Sequence, residues 1–145
     1  MVTLDADRIA ALLQQPLQAV LSVARRDKGP VAVPMSYHFS DGKFWMVTDP
    51  DSLHGRLMAK RGRATITVQY EACDGRRVHQ WYVMAEGPVA YRDDATEPHV
   101  RRILGKDRGA QNVDEWLAGG VPDNVRLAVL DPVRIAGYEW TESLD

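Results

Sequence analysis

LQAVLSVARRDKGPVAVPMSYHFSDGKFWMVT, residues 17–48, decides the fold. Leu17, Ala19, Leu21 and Val23 alternate with Gln18, Val20, Ser22 and Ala24. A period of two places successive side chains on opposite faces of a strand. The charged turn Arg25-Arg26-Asp27-Lys28-Gly29 follows, and the alternation resumes at Val31, Val33, Met35 and Tyr37. Pro34 interrupts it and, having no N–H to give a ladder, marks an edge or a bulge. Asp41-Gly42 signals a hairpin because glycine tolerates positive φ, and Lys43 to Thr48 reads as the third strand.

Outward from this core, Asp5 to Leu13 sets Ile9, Leu12 and Leu13 on one helical stripe, with Asp5 or Asp7 as the cap. After Thr48, the loop Asp49-Pro50-Asp51-Ser52 leads into a helix over Leu53 to Lys60, capped by Ser52 and ended by Gly62. Arg63 to Glu71 is rich in β-formers, and Asp74-Gly75 turns it into a long strand over Val78 to Tyr91, bent at Gly87-Pro88. Asp93 to Gly105 and Gln111 to Ala118 read as helices, and Asn124 to Trp140 as a last strand region broken at Asp131-Pro132. Few segments fit a βαβ crossover, so a doubly wound parallel fold is disfavoured. The order fits a mainly β fold with peripheral helices: one antiparallel split or closed barrel spanning residues 1–145.

Composition narrows the function classes. The length suits one domain, and 45% apolar with 26% charged residues is ordinary for a globular chain. A net charge of -2 gives no reason to expect nucleic acid as a partner. The excess of Arg over Lys suits bidentate anion recognition, but codon bias explains it as well. Cys73 is the only cysteine, which excludes an internal disulfide and a cysteine metal cage. No run approaches the roughly 18 apolar residues of a membrane span, and the start lacks a basic, then apolar, leader pattern. The expectation is a cytoplasmic protein with no membrane partner.

Thr48-Asp49-Pro50-Asp51-Ser52-Leu53-His54-Gly55-Arg56 is the most suggestive stretch. Hydroxyls, an imidazole, a guanidinium and the free amides of a helix start meet at a strand end, which can hold a phosphate. The plainer reading is a capped surface helix with solvated charges. His38, His54, His79 and His99 lack the three- or four-residue spacing of paired ligands, so no metal site is expected. Cys73 beside a turn is read as an incidental thiol. Phe44, Trp45, Trp81, Tyr82 and Tyr91 are core or dimer contacts, or else walls of a slot for a planar ring. Trp45, Met46 and Trp81 are expected to supply apolar surface for a homodimer.

The ordered blocks resemble the pyridoxamine phosphate oxidase-like split-barrel proteins, especially the branch that uses flavins or the deazaflavin coenzyme F420. Leu21-Ser22-Val23-Ala24 through Gly29-Pro30-Val31-Ala32-Val33-Pro34-Met35 is similar to that family's opening hairpin, and Asp41 to Thr48 to its next strand. Asp51-Ser52-Leu53-His54-Gly55-Arg56-Leu57 matches its serine, any residue, lysine, any residue, arginine segment. Tyr82-Val83-Met84-Ala85-Glu86-Gly87, Ile103-Leu104-Gly105 and Asp131 to Tyr138 also have counterparts. His54 stands where the family has a phosphate-binding lysine, and Gly62 where a proline is common.

The resemblance implies an F420-dependent oxidoreductase that passes hydride to a small conjugated or heteroaromatic acceptor, with no general acid identified. Pro34, Met35 and Ser36 would border the ring, while Thr48, Ser52, His54 and Arg56 would take the phosphate. One alternative keeps the fold and binds flavin mononucleotide (FMN). Another is a non-catalytic carrier of a cofactor, tetrapyrrole or lipid, for which the loss of the family lysine at His54 speaks.

Overall fold

The computed structural model describes residues 1–93 and 97–144. A short β1 (Val2–Thr3) precedes α1 (Ala6–Leu12), where the Asp5 carboxylate accepts from the Arg8 N–H at 2.8 Å and caps the first turn. Four strands follow: β2 (Ala19–Val23), β3 (Val31–Met35), β4 (Tyr37–Ser40) and β5 (Lys43–Thr48). Helix α2 (Leu53–Arg61) leads to β6 (Arg63–Asp74) and the long β7 (Arg77–Arg92). Helices α3 (Glu97–Arg108) and α4 (Ala110–Trp116) precede β8 (Arg126–Leu130) and β9 (Arg134–Ser143). The start of the helix expected from Asp93 falls on residues 94–96, outside the described residues. Among the described residues, no helix is long and apolar enough to cross a membrane.

All pairings are antiparallel, in the order β3-β2-β6-β7-β8-β5-β4, with β9 added to β7 and β1 to β9. The two ends of that order, β3 and β4, are consecutive in the chain and separated only by Ser36. The chain itself therefore brings the sheet's margins together at Ser36, which makes the sheet a split barrel. Pro34 lies on the end strand β3, where its missing N–H leaves no gap in the ladder to a further strand. The Asp41-Gly42 turn takes φ of 56° and 71°, a left-handed pair that matches the twist of β4 and β5.

The long β7 changes partner along its length. Arg77 to Glu86 pairs with β9, and Val89 to Arg92 with β8. The change falls at Gly87-Pro88, where a side chain on Gly87 would lie 2.2 Å from the Asp131 carbonyl oxygen. Asp131 N–H in turn donates to the Pro88 carbonyl at 3.0 Å. The bend foreseen at Gly87-Pro88 and the break at Asp131-Pro132 are thus two sides of one crossing.

Two apolar cores flank the sheet. Leu21, Tyr37, Phe44, Met46, Ile66, Trp81 and Val83 fill the barrel, and α1 closes it with Ile9, Leu12 and Leu13. Trp45, Leu127 and Val129 point the other way, against Val100, Ile103 and Leu104 of α3 and Val113 of α4. Trp45, Met46 and Trp81 are 7%, 0% and 1% exposed, so they are not the dimer surface the sequence suggested. Met46 and Trp81 pack into the barrel core and Trp45 into the helix-side core. Val20 on β2 and Met84 on β7 are exposed instead, with the half-buried Tyr82 on β7 and Tyr138 and Trp140 on β9 beside them. Their register places them on the sheet face opposite Leu21, Trp81 and Val83.

Candidate functional site

Two groups of residues at one end of β5 make up the site. The first begins at the β3–β4 joint. Pro34, Met35 and Ser36 line a cavity of about 280 Å³ together with Gln18 and with Val47 of β5. Leu104 and Arg108 of α3, Trp116 of α4 and Val125 form the remaining walls. Ser36 Oγ donates to Asp107 Oδ2 at 3.2 Å, which fastens the joint to α3 and leaves the Ser36 lone pairs as acceptors. The other Asp107 oxygen is buried without a hydrogen-bond partner among the described residues. Next to Asp107, the Lys106 ammonium donates to the Leu17 carbonyl at 3.1 Å and lies 3.3 Å from the centroid of the Tyr37 ring. Burial lowers its pKa to about 8, against the opposing pull of Asp107. Tyr37 donates to the Leu13 carbonyl at 3.1 Å, and burial, then Asp107, pushes its phenol well above the usual range.

The second group is the strand-to-helix turn after Thr48. Alternation on β5 turns Val47 toward the cavity and helices, and the buried Thr48 toward the opposite face. His54 Nε2 lies 2.9 Å from Thr48 Oγ1 and 3.3 Å from Ser52 Oγ. Ser52 gives its one hydroxyl proton to the Asp49 carbonyl at 2.6 Å and accepts from the Gly55 N–H at 3.1 Å. Any hydrogen bond between Ser52 and His54 therefore takes its proton from the imidazole Nε2–H. Burial lowers the His54 pKa, and Asp49 partly opposes it. Arg56 is exposed on the first turn of α2.

Two residues outside the set expected to hold the phosphate shape this turn. A side chain on Gly55 would come within 2.3 Å of the Asp49 carbonyl oxygen and 2.9 Å of Pro50 Cα. Only glycine lets the loop fold back so closely on the helix. Tyr91 of β7 donates to the Gly55 carbonyl at 2.9 Å, and burial followed by Asp49 raises its pKa to about 12. A glycine in a first helical turn was a visible signal. Tyr91 stood out only as a strand aromatic, and Gln18, Asp107, Arg108 and Trp116 gave no signal, because only the tertiary fold brings them here.

The seven residues singled out from the sequence thus fall into two sets. Pro34, Met35 and Ser36 share the cavity, while Thr48, Ser52 and His54 are joined by hydrogen bonds with Arg56 beside them. A larger concavity of about 510 Å³ is lined by Asp93, Val121, Pro122, Asp123, Val125 and Arg126. It is open to solvent and carries two carboxylates and no aromatic wall, which suits neither a planar ring nor a phosphate.

The family model for pyridoxamine 5'-phosphate oxidase matches residues 6–137, nearly the whole barrel and both groups of the site. The chain belongs to that family. No curated protein matches it significantly. Solved structures repeat the fold at low identity. A flavocytochrome from Azotobacter vinelandii is 12% identical with a TM-score of 0.72, over 96% of this chain and 69% of that one. An FAD-binding protein from Mesorhizobium loti is 17% identical with a TM-score of 0.67, over 96% and 97%. An F420 reductase is 16% identical with a TM-score of 0.65, over 86% and 93%. Together with the topology, these likenesses establish the split-barrel fold for this member of the pyridoxamine 5'-phosphate oxidase family.

Proposed function

We propose that this family member is an oxidoreductase that binds the deazaflavin F420, with FMN as the alternative, and reduces a small conjugated or heteroaromatic acceptor. The observation that carries the reading is the cavity at the β3–β4 joint. Its Met35, Val47, Leu104 and Trp116 walls suit a planar ring, while Gln18, Ser36 and Arg108 offer polar groups for the ring's edge. When bound, the cofactor supplies the hydride, and the protein supplies position and electrostatics. Ser36, its proton committed to Asp107, would accept from a ring N–H. Pro34 and Met35 would border the ring face.

The phosphate falls to Thr48, Ser52, His54 and Arg56 in this reading. Ser52 is held by Asp49 and Gly55 and His54 Nε2 by the Thr48 and Ser52 hydroxyls, so the groups free to donate are the Arg56 guanidinium, the Thr48 hydroxyl and, once the imidazole is protonated, His54 Nδ1–H. The cap also leaves the Leu53 and His54 amides for a ligand. A cavity of about 280 Å³ is at the lower edge of the roughly 300–1,000 Å³ usual for small-molecule sites. A second copy of the chain would enlarge it, and the outer face carrying Val20, Tyr82, Met84, Tyr138 and Trp140 is the surface we assign to a homodimer.

Parallel titration of the purified protein with F420, FMN and haem, followed by absorbance, tests this reading. Saturable binding of F420 or FMN, followed by reoxidation of the reduced cofactor on adding an acceptor, is expected. Tight binding with no turnover of any acceptor would favour a carrier, and binding of haem alone would overturn the assignment.

A further inference from the structure

A second cleft lies between the end of α1, strand β4 and α3. It has a volume of about 350 Å³ and is lined by Gln14, His38, Phe39, Ser40, Arg102 and Lys106. Among the described residues, three cation-capable groups and no carboxylate form its walls, an unusual balance in a chain of net charge -2. Arg101 next door shows what surface arginines ordinarily do: it is paired with both Glu97 and Asp114. Arg102 makes no ion pair among the described residues and faces the cleft instead. Lys106 is fixed by the Leu17 carbonyl and the Tyr37 ring, which holds its ammonium in place while leaving donors over. Gln14 ties the floor together by donating to the Ala10 and Phe39 carbonyls, each at 3.2 Å.

We propose that this cleft binds the phosphate group of a small ligand, at a site separate from the cofactor cavity. A dianion offers enough acceptor oxygens for the Arg102 fork, the Lys106 ammonium and the His38 imidazole together. Helix α3 connects the two places, since it carries Arg102 and Lys106 on one side and sends Leu104 and Arg108 to the cavity.

The charges around His38 fix the pH dependence. Burial, then Arg102, His99 and Lys106 of α3, lower its pKa, and Asp41 in the β4–β5 turn opposes them. Asp107, beside Lys106, is engaged with Ser36. A bound phosphate offsets the charge of Arg102 and Lys106, so the His38 pKa rises on binding.

The test follows the His38 ring signals of the whole protein by NMR at constant ionic strength. Inorganic phosphate and glycerol phosphate are titrated, with acetate as the monoanion control. Saturable shifts and a raised His38 pKa are expected with both phosphates, with acetate much weaker. Arg102→Gln, at an exposed position that does not endanger folding, should weaken phosphate about ten-fold, while Arg101→Gln should not. Equal shifts with acetate, no saturation, or an unchanged Arg102→Gln titration would overturn the proposal. So would displacement of phosphate by saturating FMN, because the cleft would then belong to the cofactor. Phosphate alone is the probe, so the result stands whether or not the redox reading holds.

Discussion

His54 is the residue where the sequence and its folded setting pull apart. The fold prefers the neutral imidazole, because burial outweighs Asp49 and lowers its pKa below 6.5. A histidine with a lowered folded pKa contributes stability that is present above its ordinary pKa and is lost as pH falls through the lowered one. Urea unfolding should therefore show a falling midpoint below about pH 6.5, and His54→Gln should reduce that fall. His38 is shifted in the same direction and will account for part of what remains. For the cofactor phosphate the sign reverses: binding should weaken as pH rises through the lowered value. His54→Lys should flatten that profile and strengthen binding at pH 8 by about 1 kcal/mol, read by titration. At Gly55, alanine would gain about 1 kcal/mol of helix propensity but drive a methyl into the Asp49 carbonyl. The collision wins, and Gly55→Ala should lower stability by about 1–3 kcal/mol in denaturant melts.

Among the elements, β7 does the most to position the site, since it reaches from β9 to β8 and ends by bracing α2 through Tyr91. Removing that hydroxyl in Tyr91→Phe should cost about 1 kcal/mol and loosen the Ser52–Arg56 turn, seen as faster amide exchange there. The strands were legible because each is a run of alternation between turn residues. Lys43 to Thr48 was readable to the residue, and Ser52 and Gly62 marked both ends of α2. The stretch from Val31 to Tyr37 read as one strand, yet it is two, because Ser36 is where the chain passes from one sheet margin to the other. Periodicity carries no sign of such a passage. Nor does it show which aromatic faces inward, so Trp45, Met46 and Trp81 were assigned to the outside although two separate cores absorb them. At the site, the turn 48–56 was visible as a cluster in sequence, whereas the α3 and α4 walls of the cavity exist only through packing.

For the whole molecule, the outer face of β2, β7 and β9 is the place to test assembly. Tyr82 and Tyr138 stand directly across from each other with ring centroids 5.2 Å apart, beside half-exposed Met84 and Val20. Sedimentation at micromolar concentration should show a dimer, and Met84→Lys combined with Tyr82→Glu should give a folded monomer with weakened cofactor binding. A monomeric parent protein would remove the shared cavity. The closure of the barrel also sets a clock. Ser36 joins the margins, but β5 completes its ladder only on β8, with Phe44 opposite Leu130 and α2, β6, β7, α3 and α4 lying between them in the chain. The hairpins can form early from neighbouring residues, while this late pairing must wait for distant segments to meet. Refolding should accordingly take milliseconds to seconds rather than microseconds, with the helix-side core around Trp45 the last to become protected.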